Sequence, residues 1–156
     1  GTNGIQAIDL VGRKLLRDGG ATVSAFISDM RAVDAPLANA GEDLATVRHA
    51  LARGLDELVQ SSTLLLTGER RDPELVSAAA YDYMMLIGTV IGGWQLARGA
   101  LVALEQIAAG GDRAFLETQV VMAKFYAEHV LPRCSAHAAA VRAGSGSTMA
   151  LAADHF

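Results

Sequence analysis

The chain has 156 residues, which fits one domain that buries about two thirds of its unfolded surface without disulfides or metals. Half of the residues are apolar but only 5% are aromatic, a balance that favours closely packed helices over a β-sandwich. The net charge is −4 and the basic residues are scattered, so DNA and RNA are not expected partners.

Helical signals begin at the first residues and recur along the whole chain, while strand-like alternation is nowhere sustained. We expect a first helix over residues 3–17 that stops at Gly19-Gly20, and a second over residues 21–33 that ends before Asp34-Ala35-Pro36. A third helix is expected over residues 41–67. Its apolar stripe, with one serine, follows steps of three and four residues: Leu44, Val47, Leu51, Leu55, Leu58, Ser62 and Leu65.

A fourth helix is predicted to start at Asp72-Pro73-Glu74, an N-cap, a first-turn proline and a first-turn acid, and to run to about Ala109. Gly88, Gly92 and Gly93 lie inside it. Because an interior glycine costs a helix about 1 kcal/mol relative to alanine, we expect a helix or a bulky side chain to approach closely at these positions. The predicted core face is Leu75, Ala79, Tyr83, Ile87, Val90, Trp94, Ala97, Leu101 and Leu104.

A fifth helix is predicted over residues 112–143, capped by Asp112 and kinked or broken near residues 128–132 by Pro132. Residues 143–146 read as a flexible joint, after which Ser147 is expected to cap a short helix ending near His155. Three long apolar stripes with shorter helices predict an all-α fold, an antiparallel helical bundle resembling a four-helix bundle.

The chain lacks the catalytic and metal-binding motifs of several enzyme classes. There are no Glu-x-x-His pairs for a di-iron site, no zinc-ligand spacing, no Gly-x-Ser-x-Gly, and no P-loop or dinucleotide motif after a strand. We therefore predict no metal site. Tyr81, Tyr83 and Trp94 are expected to be core or interface anchors, each with a hydrogen-bond partner if buried.

The remaining sequence signals concern the burial of the cysteine and the cellular location of the protein. The lone Cys134 is expected to be a packed thiol, and the apolar stretch at residues 84–90 is shorter than a membrane span requires. No secretory signal opens the chain. Together these features predict a cytoplasmic protein without a membrane span.

The opening turn has chemistry that suits a phosphate or a polyol. Small residues there expose free backbone N–H groups at a helix N-terminus, where the helix dipole favours anions, and Thr2 and Asn3 add side-chain donors. Any capped helix start looks similar, so the turn alone predicts ligand binding only weakly.

Several segments together resemble a known family. They are residues 1–7, 9–15, 88, 93–94, 97–103, 123–132 and 149–151, with Phe156. The first fifteen residues resemble the end of the catalytic core of a bacterial flavin-dependent acyl-CoA dehydrogenase, just after the catalytic glutamate. The remainder is similar to the accessory C-terminal helical domain of one subgroup of that family. The resemblance implies residues 1–33 as the end of the core and residues 34–156 as the accessory bundle.

The resemblance further implies an enzyme that oxidises an acyl-CoA between Cα and Cβ, passes a hydride to FAD and reduces an electron-transfer flavoprotein. The base is expected immediately before Gly1, so this chain by itself is expected to be inactive and to hold no cofactor. Thr2, Asn3 and Gly4 correspond to flavin contacts of the family. Gly4 stands where a glutamine is common and could offer only its backbone.

A second interpretation is a stand-alone helical interaction or dimerisation module. The apolar residues of the first helix would lose their partners if a catalytic core were missing, and exposed apolar faces usually mark an interface. We therefore expect homo-oligomers under either interpretation. The residues concerned are Ile5, Ile8, Leu10, Val11, Leu15 and Leu16.

Overall fold

The computed structural model describes residues 1–68, 70–148 and 150–155, and in these ranges it is helical without strands. Short helical turns join or extend the longer helices. The predicted all-α class is confirmed. The α-helices are α1 (Thr2–Asp9), α2 (Ala21–Arg31), α3 (Asp34–Asn39), α4 (Ala45–Gly68), α5 (Leu75–Ala108), α6 (Arg113–His129) and α7 (Arg133–Ala143); α1 continues as a π-helix (Leu10–Leu16), and 3-10 turns span Gly41–Leu44 and Ala153–His155.

The long helices alternate in direction around α5. Ser62 of α4 bonds to Tyr83 near the start of α5, so these two helices run antiparallel. Tyr126 of α6 donates to the Thr89 carbonyl, and His137 of α7 contacts Asp82, so α6 and α7 both run antiparallel to α5. The predicted antiparallel bundle is confirmed, and its long helical segments are α4, α5 and the α6–α7 pair.

The stripe predicted along α4 is its buried face. All seven residues of the stripe are buried, and Ser62, the polar member, donates from its hydroxyl to the Leu58 carbonyl at 2.7 Å. The Ser62 hydroxyl also lies 2.9 Å from the Tyr83 hydroxyl, which satisfies both groups inside the core. The expected partner of Tyr83 is thereby confirmed.

Two of the three glycines in α5 permit close packing. A Cβ built on Gly93 would lie 2.9 Å from both terminal carbons of Leu131, and one on Gly92 would collide with the Tyr126 hydroxyl. Gly88 differs, because a Cβ there would meet nothing within 4 Å. The prediction of close approach is confirmed at Gly92 and Gly93 and is wrong at Gly88.

The α6–α7 break lies where Pro132 predicts it. The backbone N–H groups of Val130 and Leu131 both donate to the Tyr126 carbonyl, and α7 restarts at Arg133. The buried side chain of Leu131 reaches between α4 and α5, since it lies beside Gly54 of α4 and Gly93 of α5. A proline-induced interruption therefore places a leucine at the junction of three helices.

Three local expectations are corrected. Residues 34–36 begin the short helix α3 instead of breaking the chain, because proline is tolerated in a first helical turn. The expected joint at residues 143–146 is anchored, since the Ser145 hydroxyl bonds to the Asp72 carboxylate at 2.7 Å. A helix starting at Ser147 is absent from the described residues, which show only the turn Ala153–His155; Met149 and Phe156 lie outside them.

The central helix α5 is apolar enough to deserve comparison with a membrane span. It has 34 residues and an 18-residue window of mean hydropathy 1.4, so by length and composition alone it could cross a membrane, contrary to the expectation from residues 84–90. The core helix of a bundle meets the same criterion. Here the helix contacts α1, α4, α6 and α7, and buried side chains recur from Leu75 to Ala103.

Glycine replacements test the close approach. Gly93→Ala is expected to lower the free energy of unfolding by about 1 kcal/mol, because Leu131 must move in a packed core. Gly88→Ala, the matched control in the same helix, is expected to raise it by about 0.5–1 kcal/mol through helix propensity. Urea unfolding followed by circular dichroism measures both. Equal gains from the two variants would contradict the packing described at Gly93.

Cys134 is expected to react slowly in the folded chain. Burial raises the pKa of its thiol to about 11, so at pH 8 only about a thousandth is thiolate, against about a quarter for an ordinary cysteine. Alkylation by iodoacetamide, followed by mass spectrometry, should therefore accelerate about tenfold per pH unit between pH 8 and 10. The urea-unfolded chain is the control and should react fast at pH 8. Rapid modification of the folded chain at pH 8 would contradict the packed-thiol interpretation.

Candidate functional site

The candidate site begins at the first turn of α1, where Thr2, Asn3 and Gly4 all lie exposed. The first helical hydrogen bond joins the Ile5 N–H to the Gly1 carbonyl at 3.3 Å, so the three preceding N–H groups have no helical acceptor. No side chain caps this end, and no acidic residue lies in the first turn. The turn therefore presents a row of free donors to solvent, at the positive end of a helix dipole.

Behind this turn the helix widens into the π-helix Leu10–Leu16. Val11 and Leu15 are completely buried, whereas Ile5 and Ile8 of α1 are 70% and 49% exposed. The expectation of lost partners is thus wrong for Val11 and Leu15, because this segment packs against α5 and α4 within the chain itself. In the first two turns Ala7 is buried, and Ile5 and Ile8 are the large apolar residues left exposed.

An apolar groove opens between the π-helix, α2 and α5. It has a volume of about 380 Å³, and Lys14 is its charged residue. Gly88 forms part of the groove, which explains why nothing approaches that glycine. In the sequence, this groove is marked by a glycine in an otherwise apolar helix. The same pattern also fits close helix packing, so it could not identify the groove. The lining residues are Leu10, Lys14, Thr22, Val23, Phe26, Met84, Ile87, Gly88 and Ile91.

The aromatic residues singled out in the sequence serve the scaffold. Tyr83 is fully buried, and burial raises the pKa of its phenol above the usual value, so it stays a neutral hydrogen-bonding group. Trp94 is half-buried, with its ring edge-on to Phe26 at 5.5 Å and Arg98 over its face at 5.0 Å. Its buried indole N–H finds no acceptor among the described residues, contrary to expectation. Tyr81 is about half exposed.

Charged side chains of the described ranges form pairs and no larger ligand clusters. His137 Nδ1 lies 2.8 Å from Asp82 Oδ1 at the α5–α7 contact, and Arg142 pairs with Glu57 at 2.6 Å between α7 and α4. No group of three or more His, Cys, Asp or Glu side chains that could hold a metal ion occurs among the described residues. The Asp82–His137 and Glu57–Arg142 pairs join helices of the bundle.

The groups at the N-terminal end of the chain could bind a ligand, but they include no acid–base pair. These groups are the exposed donors of residues 2–4 and an apolar groove with Lys14 among its lining residues. A general base must lie within hydrogen-bond reach of the proton it removes, and neither the turn nor the groove lining contains a carboxylate or histidine. These features suit an edge of a larger site.

Comparison with known proteins gives a consistent result. A family model described as "Acetyl-CoA dehydrogenase C-terminal like" matches residues 20–152. The chain is 38% identical over 143 residues to the 3-methylmercaptopropionyl-CoA dehydrogenase of Ruegeria pomeroyi, a match that covers 87% of this chain. It is 35% identical over 145 residues to the broad-specificity linear acyl-CoA dehydrogenase FadE5 of Mycobacterium tuberculosis, over 85% of this chain.

The chain spans only 23% of the length of each of these two relatives. The family match, by contrast, extends from the glycine turn before α2 to the last described segment. It includes α2 to α7, and therefore the three long helical segments of the bundle. On this coverage, the chain belongs to the acetyl-CoA dehydrogenase C-terminal-like family.

Proposed function

We propose that this chain is the helical C-terminal part of a flavin-dependent acyl-CoA dehydrogenase. The observation that carries the proposal is the family match over residues 20–152 in a chain that spans 23% of two dehydrogenases. The proposed substrate class is an acyl-CoA thioester, because both relatives are named for such substrates. The whole protein would then reduce an electron-transfer flavoprotein, as the sequence resemblance implies, and its cytoplasmic location stays a prediction.

In this proposal the chain supplies contacts, and the general base lies outside it, immediately before Gly1. FAD, when bound in the whole enzyme, supplies the hydride acceptor. Thr2 and Asn3 would donate to oxygen atoms of the flavin cofactor from their side chains and backbone, and Gly4 from its backbone alone. The free N–H groups of the first turn support this assignment, since each lacks a helical acceptor.

The two parts proposed from the sequence, residues 1–33 and 34–156, would move as one unit. Val11 and Leu15 are fully buried, and the contacts of their π-helix with α4 and α5 support this view. A ligand contact made by residues 2–4 would therefore be held in place by the bundle. The boundary at residue 33 stays a prediction.

The isolated chain is expected to show no dehydrogenase turnover, because it would lack the base and most of the flavin pocket. The test supplies the chain with FAD, an acyl-CoA series and a dye acceptor, and follows dye reduction. One of the two relatives, assayed in parallel, is the positive control. Turnover by the purified chain, proportional to its concentration, would contradict the assignment of the base.

The flavin contacts are tested in the whole protein encoded by the source gene. Thr2→Val is expected to weaken FAD binding about tenfold, the effect of losing one hydrogen bond to a ligand. Thr67→Val, which changes an exposed threonine near the end of α4, is the matched control and should leave FAD affinity unchanged. Equal affinities for both variants would contradict the role of Thr2. A gene without a flavoprotein core upstream of Gly1 would overturn the whole proposal.

The alternative function is a helical interaction module, and the exposure of Ile5 and Ile8 favours it. Under the main proposal these residues would pack against the catalytic core; under the alternative they would bind another protein or a second copy. The sequence upstream of Gly1 separates the two functions: Tyr-Glu with a flavoprotein core supports the enzyme, and an initiator codon supports the module.

A further inference from the structure

The outer face of α6 carries a second group of uncovered apolar residues, far along the chain from Ile5 and Ile8. The buried side of α6 is formed by Leu116, Val120, Ala123 and Ala127, which pack into the bundle. Four of the side chains on the opposite side are large and apolar, an unusual number for a helix face exposed to water. Their exposed fractions are 62% for Phe115, 62% for Val121, 46% for Met122 and 58% for Phe125.

The charges on this helix lie along one edge of that face. At 100° per residue, Glu117 and Lys124 project from the same flank, one on each side of the helix midpoint, and Phe115 and Met122 project from the other flank. The small residues Ala114 and Thr118 are exposed along the centre of the face with Val121 and Phe125. We name this outer face of α6, residues 114, 115, 117, 118, 121, 122, 124, 125, 128 and 129, the α6 face; the ring of His129 lies 4.8 Å from that of Phe125.

The arrangement is complementary to itself. A two-fold axis that makes two α6 helices antiparallel sets each flank of one helix against the same flank of the other. If Glu117 of one copy is placed opposite Lys124 of the second, the same register sets Lys124 opposite Glu117. Two symmetric ion pairs then form on one flank.

The apolar pairs are offset from the ion pairs by two and four residues across the face, so they form when the two helix axes cross at an angle, as packed helices commonly do. This crossing sets Val121 against Thr118 and Phe125 against Ala114 along the centre, so each large side chain faces a smaller one. On the far flank it sets Phe115 against Met122, an aromatic–thioether contact of the favourable kind. Large against small at the centre and opposite charges at the edge are the features that select an antiparallel helix pair.

The competing contacts of the charged residues are weak. Glu117 pairs with Arg113 on its own helix at 2.7 Å, but both side chains are more than half exposed. Lys124 lies 3.9 Å from Asp43, whose side chain is also mostly exposed. Exposed pairs of this kind contribute little to stability, so Glu117 and Lys124 can exchange them for partners on a second copy.

We propose that the α6 face is a self-association surface, on which a second copy of this chain docks antiparallel with Glu117 opposite Lys124. A single pair of helices with this much apolar surface forms a small interface, so the dimer is in reversible equilibrium with the monomer. The proposal does not depend on dehydrogenase activity.

Sedimentation of the full chain over a range of concentrations tests the proposal. Lys124→Glu sets two glutamates together at both ends of the interface and is expected to weaken the dimer roughly tenfold. Glu117→Lys should do the same, and the double variant Glu117→Lys/Lys124→Glu should restore the dimer to within about threefold of the natural chain. Lys14→Glu is the matched control, because Lys14 is the other lysine of the chain and its reversal changes net charge equally.

Carbodiimide coupling gives an independent measurement. A mixture of ¹⁴N- and ¹⁵N-labelled chains should yield Lys124–Glu117 cross-links that contain one label of each kind. The Lys124–Asp43 cross-link within one copy, expected from their 3.9 Å approach, is the internal control.

Phe125→Ser tests the apolar part of the face, and Tyr81→Ser, at a similarly exposed aromatic residue of α5, is its control. The first variant should weaken the dimer and the second should not. A chain that stays monomeric at every concentration would overturn the proposal, as would failure of the double charge reversal to restore association. Association abolished by Ile5→Ser/Ile8→Ser and untouched by the α6 variants would instead assign the interface to α1.

Discussion

The junction around Leu131 is the constraint on which the bundle depends. Pro132 separates α6 from α7, and this break leaves Leu131 pointing between α4 and α5. Both facing positions are glycines: a Cβ on Gly54 would lie 3.5 Å from a Leu131 methyl carbon, and one on Gly93 would lie 2.9 Å away. Because protein interiors are close-packed, Leu131 can occupy this point only if α5 contributes no side chain at position 93, whereas a Cβ at Gly54 would be in ordinary contact with it.

The same junction orders its neighbours. Cys134 follows Leu131 into the contact with Gly54, with its sulfur 3.6 Å from a Cβ built there, which explains why the thiol is buried and weakly acidic. One turn before the break, Tyr126 covers Gly92 and donates to the Thr89 carbonyl at 3.1 Å. Helix α7 then runs along α5 and ends close to Ser145, which bonds to Asp72 in the segment just before α5.

The uncovered apolar groups lie at two places on the outside of the bundle, and their surroundings differ. Ile5 and Ile8 lie next to a turn of free backbone donors and to the segment that lines an apolar groove, which suits contact with a larger protein body. The α6 face has charges of both signs on one flank, which is the basis for proposing that it pairs with a second copy. A single chain can therefore present one surface for the rest of an enzyme and another for a second copy.

Periodicity alone predicted much of this molecule. The α4 stripe, the length of α5 and the break at Pro132 follow from local rules, because apolar spacing and proline act on the backbone wherever the chain lies. The interpretation of Gly92 and Gly93 also succeeded, since glycine in a helix interior is costly without a packing reason. Thr2, Asn3 and Gly4 could be named from the resemblance, and the fold shows them exposed without deciding what they bind.

Tertiary structure decided what local patterns leave open. Gly88 has the same sequence signature as Gly93, yet it opens into a groove, because whether a neighbour reaches a glycine depends on how distant segments cross. Val11 and Leu15 are apolar like Ile5 and Ile8, and only the crossing of the π-helix over α4 and α5 buries the first pair. The sequence by itself determined the helices and their apolar faces; the packing of those faces against one another determined which apolar residues remain available to a partner.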